Sequence, residues 1–148
     1  METLVIRPKS DFMQVAAWDS LYALTEHWKS DMDFFKDEIN FLDILLGKYF
    51  IWLTRDDNVH DVQPLLKEVD DMRALCKGLA SRVDLHLLRL SHLIENAFSH
   101  DEQAFRDEHE KLENDLASFT GAFRNLKQKV FGITKKVMET ERIQHLLS

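Results

Sequence analysis

The chain has 148 residues and a formal net charge of −7, with four Gly, two Pro and a single Cys. That length suits one domain able to bury a core without a disulfide or a structural metal, and so little Gly and Pro leaves strands bounded by turn clusters nowhere to sit. The acidic balance argues against general nucleic-acid binding, which needs a basic surface facing phosphates.

Compartment and membrane follow from the same inventory. Cys76 has no partner within the chain, and the opening "METLVIRPKSDF" lacks the basic and sustained apolar regions of a secretory leader. A reducing, cytoplasmic setting is expected. The longest apolar run is "FIWL", residues 50–53, far short of the roughly 20 apolar residues that span a bilayer. The expected protein is soluble and all-α.

Residues 1–9 carry no periodicity and are left as an N-terminal arm, with Ser10 able to cap an early start of the first helix. The single helical domain is expected over 10–148. Its first helix, about 12–55, is marked by alternating spacings of three and four through Trp18, Leu21, Thr25, Trp28, Met32, Phe35, Ile39, Leu42, Leu46, Tyr49 and Leu53. Such spacing is a heptad seam.

The second helix, about 62–97, repeats the pattern from Val62 through Leu65, Val69, Met72, Cys76, Leu79, Val83, His86, Leu90 and Leu93 to Ala97. Asp61 is positioned to cap it, with Pro64 in the first turn where a missing N–H costs little. The third, about 100–146, runs from Phe105 through His109, Leu112, Leu116, Phe119, Phe123, Leu126, Val130, Ile133 and Val137 to Thr140. Ser99 with Glu102 three residues on has the form of a capping box, which makes the preceding turn tight.

Two short connections imply an antiparallel up-down-up bundle of three long helices with coiled-coil-like heptad packing. The shape resembles that of three-helix coiled coils such as spectrin repeats, and no residue signature of a named family accompanies it. Antiparallel pairing also accounts for the charges. It sets the bases of "RNLKQKVFGITKK" beside Glu68, Asp70 and Asp71, and the acids of residues 101–115 beside Arg82 and Arg89.

The first helix has a surplus. Outside its seam, Phe34, Phe41, Ile44, Leu45, Ile51 and Trp52 recur at spacings of three, four and seven and form a second apolar stripe. Contiguous exposed apolar area marks an interface, and most soluble oligomers are twofold homodimers. Phe34, Phe41, Ile44, Ile51 and Trp52 are therefore the interface candidates, with a homodimer expected first and a partner helix second. Ile143, Leu146 and Leu147 extend past the start of the second helix and either fold over its end or reach another subunit.

Candidate chemistry sits at the few polar seam positions. Counting along the helices puts Thr25, His86 and His109 at similar heights, with Glu113 one turn after His109 and Asp31 approaching from the first helix. His86, His109, Glu113 and Asp31 form an alternative zinc or iron site. Against it, the chain contains no Glu-x-x-His, the motif that di-iron bundles use. Seam histidines that hydrogen-bond to Thr25, Asp31 or Glu113 and fix register are the favoured reading.

His27 and His92 read as boundary residues, and His100 as part of a first turn. Asp57 with His60 lacks a second pair nearby. Cys76, on the seam, is expected to be a buried, inert thiol. No Gly-rich phosphate loop exists, since Gly47, Gly78, Gly121 and Gly132 stand singly inside helices, where some are expected to relieve crowding against aromatics. The chain reads as a non-enzymatic interaction protein with no cofactor.

Overall fold

The computed structural model describes residues 12–49, 59–96 and 101–147, and among them every element is a helix. α1 spans Phe12–Val15, α2 Trp18–Lys48, α3 Val59–Glu95 and α4 Glu102–Leu147. No helix among the described residues is long and apolar enough to cross a membrane.

The expected first helix is broken near its start. Ala16 and Ala17 separate α1 from α2, and the Ala17 carbonyl accepts from the N–H groups of Ser20 and Leu21 at 3.0 and 3.1 Å to begin α2. Alanine offers no capping side chain. Asp19, in the first turn, complements the positive end of the helix dipole instead.

The other boundaries also shift. α3 begins at Val59, so Asp61 lies within it and is not its cap. Pro64 then sits beyond the first turn, where it withholds the N–H that would reach the carbonyl of residue 60. α4 is capped by Asp101, whose Oδ1 accepts the N–H of Ala104 at 3.1 Å, the N-cap geometry that satisfies an orphan donor. Ser99, the expected cap, lies outside the described residues, as do Ile51, Trp52, Leu53, Ala97 and His100. The side chains of Thr140, Ile143, Leu146 and Leu147 are likewise outside the description.

Two compact units divide the described chain, one drawn from Met1–Phe35 and Leu75–Thr120, the other from Lys36–Ala74 and Gly121–Ser148. In the first, α2, α3 and α4 touch pairwise. Lys29 pairs with Asp84 at 3.1 Å and Arg82 with Asp115 at 2.7 Å, and the rings of Phe35 and Phe119 meet edge to face at 5.3 Å. Its core includes Leu21, Trp28, Met32, Phe35, Cys76, Leu79, Val83, Leu90, Leu93, Leu112, Leu116 and Phe119, all buried. The Cys76 thiol is held inside, donating to the Met32 carbonyl at 3.8 Å.

In the second unit the same three helices are again linked pairwise. Lys127 bonds Glu38 at 2.6 Å, Arg73 bonds Asp43 at 3.0 Å and Lys129 bonds Glu68 at 3.2 Å. Asp70 and Asp71 spend their charge within α3, on Arg73 and Lys67. Ile39, Leu42, Leu46, Val62, Leu65, Val69, Met72, Phe123, Leu126, Val130 and Val137 are buried. Across both units, every described heptad position is buried except Trp18, Phe105 and Ile133, which are half-buried.

The glycines do not relieve crowding. A Cβ built at Gly47, Gly78, Gly121 or Gly132 meets nothing within 4 Å, so their aromatic neighbours make no demand on them.

Candidate functional site

Two features stand out, an exposed apolar face and a buried polar cluster. On α2, Phe34, Phe41 and Ile44 are 40%, 53% and 68% exposed, while Leu45 between them and the seam is half-buried. The heptad positions use the opposite side of this helix, so the residues left outside have no side of the core to enter.

The reading from sequence missed other exposed apolar side chains. Leu75, Leu85, Leu88 and Ile94 on α3, and Phe131 and Met138 on α4, are all more than a third exposed. The signal was present for the α4 pair, whose seven-residue spacing places both on one face outside the seam.

The buried cluster lies wholly within the first unit. Thr25, Asp31, His86, His109 and Glu113 are buried to 5% exposure or less. His86 Nε2 and His109 Nδ1 are 2.8 Å apart, and the His109 ring stacks on Trp28 with centroids at 4.6 Å and an interplanar angle of 28°. Thr25 Oγ1 donates to the Leu21 carbonyl at 2.7 Å and stands 3.5 Å from His109 Nδ1. Since the hydroxyl hydrogen is spent on Leu21, the Thr25 oxygen can only accept from the imidazole. This favours the hydrogen on His109 Nδ1, directed mainly at His86 Nε2.

Among the described residues, the buried atoms Trp28 Nε1, Asp31 Oδ2, His86 Nδ1 and His109 Nε2 find no hydrogen-bond partner. His27 Nε2 comes within 3.7 Å of Asp31 Oδ2, a charge contact longer than a hydrogen bond. The electrostatics follow from burial. Desolvation lowers the pKa of His86 to about 4, with Glu108 opposing and Arg89 and Arg82 reinforcing the shift. It lowers His109 to about 3, helped by His86 and Arg106. Burial raises the Asp31 carboxyl above its ordinary 3.8, and His27 pulls it partly back. Both imidazoles are thus neutral at neutral pH and act as hydrogen-bonding groups.

All four residues of the alternative metal site are buried, and of them His86 and His109 are in hydrogen-bond contact. Among the described residues, however, no three His, Cys, Asp or Glu side chains are placed to hold a metal ion together. The His86 to His109 bond already engages one nitrogen of each ring. Beside it lies a pocket of about 300 Å³ lined by His86, Arg89, His92, Ala104, Phe105 and Glu108.

Sequence reasoning also missed Arg106. Its guanidinium donates to the carbonyls of Ala16 at 2.9 Å and Met13 at 3.3 Å and lies 4.2 Å from the Trp18 ring centroid. It supplies donors to carbonyls at the end of α1 that no helical N–H reaches and holds the break between α1 and α2 against α4. Comparison of this chain with known protein families, curated proteins and solved structures finds no match.

Proposed function

We propose that the chain is a non-enzymatic, cytoplasmic helical-bundle protein that acts through its surface, associating with a second copy of itself or, failing that, with a partner helix. The observation that carries this reading is the exposure of Phe34, Phe41 and Ile44 on a helix whose opposite side is buried. Single exposed apolar residues are ordinary, whereas two Phe and an Ile spaced by seven and three form a stripe. On α3, Leu85 and Leu88 form a shorter pair, and Ile94, nine residues beyond Leu85, falls on the other side of the helix.

The architecture we propose is an up-down-up bundle of three helices packed through heptad seams. Contacts in the first unit support it. Lys29 with Asp84 and Met32 with Cys76 run in opposite senses along α2 and α3. So do Arg82 with Asp115 and His86 with His109 along α3 and α4. Thr25 with His109 and Phe35 with Phe119 advance together along α2 and α4.

Phe41→Glu combined with Ile44→Glu tests the function. Both side chains face solvent in the single chain, so helicity by circular dichroism stays at the wild-type level while association measured by sedimentation is lost. A wild-type chain that stays monomeric at about 100 µM, where even weak dimers with Kd near that value are half formed, would refute self-association.

A further inference from the structure

Within the first unit, α3 and α4 line a pocket of about 300 Å³, at the lower end of the roughly 300–1,000 Å³ that small-molecule sites occupy. His86, Arg89 and His92 supply its α3 side, and Ala104, Phe105 and Glu108 its α4 side. Arg89, His92 and Ala104 are exposed, Phe105 and Glu108 are half-buried and His86 is 2% exposed. The wall therefore runs from the surface down to one buried imidazole. None of these residues belongs to the apolar stripe of α2.

What that imidazole can offer follows from its bond to His109. His86 Nε2 lies 2.8 Å from His109 Nδ1, and the hydrogen between them belongs to His109, because the Thr25 hydroxyl beside it has spent its own on the Leu21 carbonyl. His86 Nε2 accepts, so the neutral ring carries its hydrogen on Nδ1. Burial, reinforced by the Arg89 charge, keeps that ring neutral. Among the described residues the Nδ1–H finds no acceptor, and a buried donor without one is unfavourable. The pocket wall thus contains a donor that the described chain leaves unmet.

The other polar groups select the charge of a ligand. Arg89 follows His86 by three residues, about one turn on the same helix, and makes no ion pair among the described residues. Glu108 is engaged by Arg82 at 3.5 Å, and its carboxylate disfavours a doubly charged phosphate. One guanidinium and one neutral N–H match the two oxygens of a singly charged carboxylate. Ala104 and Phe105 add apolar surface, and the Phe105 ring is braced edge-on against Trp18 with centroids at 6.5 Å, which suits a flat apolar body.

We infer that this pocket binds a small organic monocarboxylate with a planar apolar body, its carboxylate held between Arg89 and the His86 Nδ1–H and its body against Phe105. The site stands apart from the α2 surface and does not depend on the self-association reading.

Calorimetric titration of the full chain with benzoate near neutral pH tests the inference, with benzamide and benzylamine as neutral and cationic counterparts. Benzoate is expected to bind with a Kd of about 1 mM or below, the affinity of a fragment-sized ligand, and at least about tenfold more tightly than either counterpart. Arg89→Gln removes the charge and Ala104→Phe fills the pocket. Both lie at exposed helical positions, and each is expected to weaken benzoate by at least about tenfold while circular dichroism confirms the fold. His86 is followed without substitution, because its loss would disturb the core: in proton–nitrogen correlation spectra its Nδ1–H signal is expected to move downfield as benzoate is added. Absence of binding at about 10 mM benzoate overturns the inference. So does equal affinity for benzamide, or tighter binding of benzylamine, which would make Glu108 the recognising group. Binding that both variants leave unchanged, or that leaves the Nδ1–H signal unmoved, puts benzoate elsewhere on the chain and overturns it as well.

Discussion

His86 Nε2 and His109 Nδ1 share one hydrogen across 2.8 Å, between rings that are 2% and 0% exposed. Removing either ring strands the other, because among the described residues the one further polar contact of His109 Nδ1 is Thr25 Oγ1 at 3.5 Å.

A double-mutant cycle follows. His86→Leu and His109→Leu are each expected to destabilise by about 1–3 kcal/mol, the cost of a buried polar atom left without its partner. The double variant is expected to cost less than the sum of the singles by roughly 1 kcal/mol or more, because both members of the pair leave together. Urea melts measure all four corners of the cycle. Strict additivity would mean that the imidazoles do not depend on each other.

Acid acts on the same pair. The unfolded chain protonates its histidines near 6.5, while the folded values are about 4 and about 3, so the unfolded state binds more protons in between. Stability is fully present above pH 6.5 and falls as pH drops toward 4, each histidine contributing a slope of up to about 1.4 kcal/mol per pH unit. Asp31 has the opposite sign, since its raised folded pKa lets the native state take up a proton first and offsets part of the loss at the acid end. Thermal melts across pH 7 to 4 are expected to show this decline, and the His86→Leu/His109→Leu variant is expected to flatten it.

Arg106 governs a local opening. Its guanidinium reaches two carbonyls and a ring at once, which a lysine ammonium cannot do with the same planar geometry. Arg106→Lys is expected to speed amide hydrogen exchange of Ser20 and Leu21, whose N–H groups bond the Ala17 carbonyl at the start of α2, by about tenfold and to leave exchange at the buried Leu90 and Leu116 unchanged. Uniform acceleration across the chain would show instead that Arg106 supports global stability.

Gly78→Ala and Gly121→Ala are expected to stabilise the chain by about 0.5–1 kcal/mol each. Both positions are helical and exposed, a Cβ meets nothing within 4 Å, and alanine lowers the backbone entropy lost on folding. Denaturant melts report the gain, and a loss of stability at either site would reveal a conformational need for glycine.

The heptad positions from Leu21 to Tyr49, Val62 to Leu93 and His109 to Val130 were legible from spacing alone, and all are buried. The reason is local: a helix turns by a constant angle per residue, so a spacing of three and four decides by itself which side chains share a face. What that face meets is not local. Asp61 and Pro64 promised a start at Val62, yet the helix reaches back to Val59, since boundary signals compete with tertiary contacts. Spacing placed His86 and His109 at similar heights, but only the packing of α3 against α4 brought Nε2 to Nδ1, because a ring's direction depends on the neighbours that confine it. Arg106 looked like one base in an acidic stretch, and its role arose only when the α1 carbonyls came within reach. The second stripe of α2 was visible as a surplus. That α4 lies beside α2 at Glu38 became visible only through the bond from Lys127, for a chain read in order carries no measure of which helix lies beside which.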